Sequence, residues 1–510
     1  MLSDWRPGFW RSFWGRVHAG QLKEQYEYRN APDLPEVVAP VFSEKTCDIV
    51  AYGAVGDGKI SNTGAISEAI SDCFVSGGGK VVVPAGRWLT GPIHLKSGIN
   101  LFLAEGAEVI FSEKREEYLP VVFTRYQGMD YYGFSPLIYA KDCENIAITG
   151  KGRLIGNGKA WHDWSDDANS SSERERLFDM ATASLPVEER IFGAADSGLR
   201  PSFVQFISCK NILLEDFHIE EGPHWTIHPI YSENILMQRI NIDTEGLNTD
   251  GIALDSSRNI VIRDTKFSTG DDAISIKSGL EAQKSPITEN VLIENCEATK
   301  GHSAVAIGSE LSGGVKNIII RNNKFISTEQ GLRIKTTRTR GGFVDGVWFE
   351  KNQLEGVEGE AVLVVGNYES ELAGEKIQLT KIKNIFISEI KNNNGDNHAI
   401  SISASERGQV ENFHVRNFNS SSRRGIYVQN AGEIFATDLV LKTKKLPLFE
   451  IENSEDIYIN NVDCAEKVED CVVFEGESSE NIMIDRDTNI TKERVKAKTD
   501  PIQSGALIFL

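Results

Sequence analysis

Several things are scarce in this sequence, and each scarcity excludes something. No run approaches the roughly 18 apolar residues that a membrane-spanning helix needs, so neither a spanning helix nor a membrane partner is expected. Positive charge is in the minority: 54 Lys and Arg stand against 74 Asp and Glu, a formal net charge of −20. A nucleic-acid binder would carry a basic face, so no nucleic-acid partner is expected. No Cys-x-x-Cys pair or other metal-ligand spacing occurs among the seven cysteines, Cys47, Cys73, Cys143, Cys209, Cys296, Cys464 and Cys471. That pattern predicts no metal site and no cofactor. The odd count suits buried small hydrophobes in a reduced protein. Cys464 and Cys471 are close enough in sequence to bridge, but nothing demands it. Also missing is a signal-peptide core with a small-residue cleavage site, since Trp5, Trp10 and Trp14 sit among arginines at the start. The chain reads either as cytoplasmic or as a mature periplasmic or secreted protein whose leader was replaced by Met1. Oligomeric state leaves no signature.

Helical periodicity is scarce as well, and what replaces it is a repeat. A polar residue followed by Asn and alternating apolar residues recurs as Glu144-Asn145-Ile146, Lys210-Asn211-Ile212, Glu233-Asn234-Ile235, Arg258-Asn259-Ile260 and Glu289-Asn290-Val291, and continues to Glu480-Asn481-Ile482. Asn211 to Asn234 is 23 residues and Asn259 to Asn290 is 31, within the range that marks a solenoid. Inside each copy the alternation has period two, which is strand periodicity. Short strands between Gly, Asn, Asp and Ser turns predict an all-β chain wound as a parallel β-helix; a β-sandwich also alternates but has no reason to repeat in step over so many turns. A coil cannot bury its own apolar face, so coils must stack. Asn tolerates the left-handed backbone of a tight bend, and equivalent Asn residues can form a ladder of amides.

A second strand per coil aligns as GIAL (251–254), AISI (273–276), AVAI (304–307), GLRI (331–334), AVLV (361–364), AISI (399–402) and GIYV (425–428). Two inward columns follow: one from Ile252 through Ile274, Val305, Leu332, Val362 and Ile400 to Ile426, the other from Leu254 through Ile276, Ile307, Ile334, Val364 and Ile402 to Val428. The first 45 residues read as an extension and 46–510 as the β-helix domain. Near its start a strand, the Gly-rich GAVGDG and a short helix at about 62–74 predict a cap; the missing Lys-Ser/Thr argues against phosphate binding. Insertions are expected at about 112–135, rich in aromatics, and 161–200, polar and partly helical. Such insertions gather on one face, often the binding face.

The residues just before these strands carry the chemistry. Asp250 falls in the column of Asp272, and Asp271 in that of His302. Neighbours in a column lie about 4.8 Å apart. Three carboxylates and a histidine so close cannot all ionise freely, so at least one carboxyl should be protonated near neutral pH. A proton donor beside ionised carboxylates is what glycosidic cleavage requires. Outward small residues, Gly251, Ala253, Ala273, Ser275, Ala304 and Ala306, are expected to form a flat floor for a sugar. Arg333 and Lys335 point the same way one coil on, and Lys277 joins them, a cationic cluster suited to an acidic sugar.

Asn248-Thr249-Asp250, Gly270-Asp271-Asp272, Gly301-His302-Ser303 and Arg333-Ile334-Lys335 together resemble the four signature motifs of the polygalacturonases, glycoside hydrolase family 28. The resemblance covers the chain from about Asp48 onward. It implies a right-handed, single-stranded parallel β-helix of the pectin-lyase type and metal-free hydrolysis of α-1,4-linked galacturonate in pectin or its oligomers, with inversion. Carboxyls one strand apart equally suit the shorter separation of retaining enzymes. By the same resemblance Asp271 is the general acid, Asp250 and Asp272 hold and activate water, and His302 assists. Arg333 and Lys335 grip the substrate carboxylate, with Asn248, Lys277 and Tyr368 as further substrate contacts. Ser303 replaces the last glycine of a Gly-His-Gly motif and puts the floor's shape in question. The insertions resemble those of bacterial exo-acting members, so exo cleavage is expected ahead of endo cleavage. A Ca-dependent pectate lyase, a hydrolase of rhamnose-containing backbone and a non-enzymatic glycan-binding β-helix are the rivals.

Overall fold

The computed structural model describes residues 28–509 except 163–167, 195–196, 282–284, 369–375, 465–469, 477–478, 486–487 and 499–506. The residues before 28, which include the Trp-Arg segment, therefore lie outside the described residues, as does part of the second insertion.

The chain winds as a parallel β-helix with three strands per coil. In one coil these are Ile252–Asp255, Arg258–Arg263 and Lys266–Ser268. Each pairs in parallel with its counterpart one coil on, Ile274–Lys277, Thr288–Glu294 and Glu297–Ala298. Three parallel sheets result, called first, second and third in that order. Both expected inward columns hold residue for residue along the first sheet: Ile252 pairs Ile274, then Val305, Leu332, Val362, Ile400 and Ile426, and Leu254 follows the same path to Val428. All are buried.

The bend from first to second sheet is made by residues in left-handed backbone, including Asn211 (φ 56°), Asn234 (φ 57°), Asn259 (φ 55°) and Asn290 (φ 58°). An L-residue pays a steric cost there that Asn's short amide offsets by local bonding. Each amide donates to the one before it: Asn234 to Asn211 at 3.1 Å, Asn259 to Asn234 at 3.2 Å, Asn290 to Asn259 at 3.0 Å and Asn317 to Asn290 at 3.1 Å.

The helix Thr63–Val75 closes the N-terminal end, burying Ile66, Ala69, Ile70 and Cys73. The segment 28–42 has no regular structure. It lies along the outer face of the second sheet, where Val37, Ala39 and Phe42 pack on Ala147, Leu213 and Leu236, and Tyr28, Ala31 and Leu34 on Ile319, Trp348 and Phe386. Trp348 Nε1 donates to Arg29 O at 2.8 Å. A disulfide joins Cys464 to Cys471, whose Cα atoms are 6.4 Å apart. This corrects the expectation of a wholly reduced set; the other five cysteines are free and buried.

Candidate active site

The strand entrances of the first sheet bring the expected acids together. Gly251 N donates to Asp272 O at 3.0 Å, which sets Asp250 and Asp272 on consecutive coils, and His302 N donates to Asp271 O at 3.1 Å. A left-handed Gly301 (φ 141°) precedes the histidine, where an added Cβ would lie 2.7 Å from Asp271 O, so only glycine lets the coils approach this closely.

Each acid has a different neighbour. Asp250 accepts from Ser275 Oγ at 2.6 Å and lies 3.9 Å from Lys277 Nζ. Asp272 Oδ2 accepts from Lys335 Nζ at 2.9 Å, while its buried Oδ1 has no hydrogen-bond partner. Asp271 Oδ1 accepts from Asp272 N at 2.8 Å and lies 3.2 Å from His302 Nδ1. Burial, and then the charge of Asp271, push Asp250 up to about 8. Burial also works against ionising Asp271, but the hydrogen bond from His302 and the charges of Lys335 and His302 outweigh it and hold it at about 2. His302 rises to about 9 through that same hydrogen bond, against a smaller effect of burial. The cluster thus keeps a protonated carboxyl at neutral pH, and Asp250 carries it.

Arg333 and Lys335 share one side of the strand, with Arg333 Cζ 5.2 Å and Lys335 Nζ 5.5 Å from the centroid of the Tyr368 ring. Lys277 sits differently from the expectation. It is buried, with its ammonium 3.0 Å from Glu310 Oε2, 3.2 Å from Gly308 O and 4.6 Å from the Trp225 ring centroid, rather than grouped with Arg333. Asn248 accepts from Arg200 NH2 at 3.3 Å.

The expected floor needs correction. Ala273 and Ala304 belong to the core, and a Cβ on Gly251 would meet the Phe267 ring at 2.8 Å. The bend before each strand resets the alternation, so these three face inward and only Ala253, Ser275 and Ala306 remain outward. Ser303 is fully buried at the start of its strand, with an unpartnered hydroxyl.

Sequence reading passed over Trp225, Glu310, Glu329 and Arg200. Trp225 was within reach: extending the alignment one coil back puts it beside Asp250, since Thr226 N donates to Asp250 O at 2.8 Å. Glu329 Oε1 lies 3.9 Å from His302 Nε2.

The insertions form one body. The first contains an antiparallel hairpin, Val122–Tyr126 with Met129–Gly133, and the second a helix, Ala168–Thr182. Tyr126, Met129, Tyr131, Leu177, Phe192 and Leu199 share one apolar cluster. Arg125 fastens it to the solenoid, buried 3.1 Å from Asp255 Oδ2. Tyr126 stacks on His224, 4.9 Å between centroids, and Arg200 reaches Asn248. Gln205, Trp225 and His228, at or near the outer face of the coils just before Asp250, are left no more than 2% exposed.

Comparison with known proteins places these features. The family model described as Glycosyl hydrolases family 28 matches residues 193–431, and that of Rhamnogalacturonase A/epimerase, pectate lyase-like, matches 47–298. The chain is 30% identical over 376 residues to a probable polygalacturonase of Vitis vinifera, covering 70% of this chain and 68% of that protein. It is 29% identical over 348 residues to the exo-poly-alpha-D-galacturonosidase of Dickeya chrysanthemi, covering 64% of this chain and 57% of the relative. Among solved structures, a hyperthermoactive exopolygalacturonase from Thermotoga maritima superposes with a TM-score of 0.69 at 32% identity, over 87% of this chain and 96% of that one.

Proposed function

This chain belongs to glycosyl hydrolase family 28, the polygalacturonases, and from that premise we propose that it releases galacturonate from the end of an α-1,4-linked galacturonate chain by single-displacement hydrolysis. Its substrate is a pectic polysaccharide or oligosaccharide. The observation that supports end-on cleavage is the body formed by the two insertions, which packs over the coils just before Asp250.

In this reading the glycosidic oxygen lies against Asp271. That oxygen takes a proton from the Asp271–His302 pair as its bond to the anomeric carbon breaks. A water oxygen bonds to the same carbon and gives a proton to Asp272, whose Oδ1 has no protein partner while Oδ2 is fixed by Lys335. Asp250, protonated in the free site, lies on the other side of the water. It keeps the cluster from accumulating three negative charges, which burial would penalise. Arg333, with its planar fork, holds the substrate carboxylate, and Tyr368 flanks it.

The test is a product time course on polygalacturonate and short oligomers. Monomer should appear from the first minutes while viscosity falls slowly. An early ladder of mid-length oligomers would overturn the exo reading, and an unsaturated product would overturn hydrolysis itself.

A further inference from the structure

The buried pair Lys277–Glu310 has no part in the reaction just described. We propose that Glu310 is a positioning residue that keeps Asp250 protonated within the acidic cluster, by drawing the Lys277 ammonium away from it.

The geometry is specific. Lys277 ends the strand Ile274–Lys277, and Ser275, two residues earlier on the same outer side, donates to Asp250. The lysine's stem thus leads past Asp250. Its ammonium nevertheless lies 3.9 Å from Asp250 Oδ2, beyond hydrogen-bond distance, and 3.0 Å from Glu310 Oε2. Glu310 lies in the loop that follows the strand Ser303–Gly308, and Ser278 N donates to Glu310 O at 2.7 Å, so the loop is tied to the lysine's own coil. Lys277 is 4% exposed and Glu310 9%. With water excluded, the position of one positive charge strongly affects a neighbouring acid.

Other charges face these groups. Asp250 is faced by Asp271, Asp272 and Lys277. Lys277 is faced by Asp250, Asp272, Glu310 and Lys335, with the buried His224 and His228 nearby, both kept neutral chiefly by burial. Glu310 is faced by Lys277 and Arg340 and, further off, Asp255. Of these, Glu310 alone can pull Lys277 off Asp250 without touching the acids itself. Without its charge, Lys277 is free to donate to Asp250, which favours the carboxylate and releases the proton at lower pH.

The inference rests on the hydrolytic reading above and is tested by pH profiles of kcat/KM on polygalacturonate. Glu310→Gln should move the alkaline limb down by about one pH unit, and Glu310→Asp should return it towards the parent. Lys277→Met combined with Glu310→Gln removes both charges of the pair and should move the limb above the parent's, because Asp250 then loses the ammonium that lies 3.9 Å from it. For a variant too slow to assay, titration of the Asp250 carboxyl by carbon NMR reads the same shifts. A limb and a titration that stay at the parental pH in both Glu310→Gln and the double variant overturn the proposal, even if turnover falls. Failure of the hydrolytic reading looks different: the parent itself would release no reducing ends.

Discussion

The second and first sheets each carry an outward column along the solenoid, and the two differ in almost every respect. On the second sheet the column runs through Leu236, Val261, Leu292, Ile319, Trp348 and Phe386, in register. It is apolar, and the segment 28–42 covers it. On the first sheet the column reads His228, Ala253, Ser275, Ala306 and Arg333, mostly small or polar side chains beside the acids. The same strand geometry thus supports two economies. Where packing is the only demand, large side chains fill the face and the chain folds back over it. Beside the acids, the outward side chains between His228 and Arg333 are small, and charge gathers at the strand entrances, held by partners on following coils.

The comparison predicts that substitutions on the two faces fail differently. The largest effect belongs to the first sheet. Asp271→Asn keeps the side chain's shape but can neither hold His302 protonated nor relay its proton, and kcat should fall by about 10² to 10⁴ with little change in melting temperature. Turnover near the parent's would remove Asp271 from the acid's role. The second sheet should show the reverse. Phe386 is fully buried between Trp348, stacked at 5.4 Å, and His414, stacked at 5.3 Å, with Tyr28 edge-on at 5.3 Å. Phe386→Ala should cost roughly 3 kcal/mol in denaturant unfolding while kcat at 25 °C holds; an equal loss of kcat would mean the faces are coupled.

Arg333→Ala should be milder. Losing a charge-assisted bond to a carboxylate costs about 2 kcal/mol, read as a higher KM for galacturonate chains with a smaller change in kcat and intact stability. Unfolding with unchanged KM would make Arg333 structural. The smallest effect concerns His302, which should titrate at about 9 by NMR and return towards its ordinary value in Asp271→Asn. Its folded value is raised, so its contribution to stability is complete below the unfolded value of about 6.5 and is lost as pH rises through about 9. A His302 that titrates normally in the parent would separate it from Asp271.

Inward ladders were legible because alternation is a local pattern and the stack repeats it in register. The meeting of Asp250, Asp271, Asp272 and His302 was legible for the same reason: one alignment of strands aligns whatever precedes them. Alternation failed at the bends, which is why Gly251, Ala273 and Ala304 were read as floor. Lys277 sits on the expected side, but its direction depends on Glu310, a loop residue with no periodic signal. Nothing in the spacing of Cys464 and Cys471 demands a bridge, so their pairing could only be left open. That Arg125 is buried against Asp255 follows from a hairpin folding over a distant coil, which no window of sequence contains.

The segment 28–42 also changes how the stack comes apart. Coils that touch only their immediate neighbours form a one-dimensional array, in which a fraying end can retreat one repeat at a time. Here a single extended stretch touches the second sheet from Ala147 to Phe386, across the coils that carry the acids. Opening any of those coils means peeling the stretch from several others. The span that melts as one cooperative unit is therefore set by the reach of this stitch, and the catalytic coils lie within it.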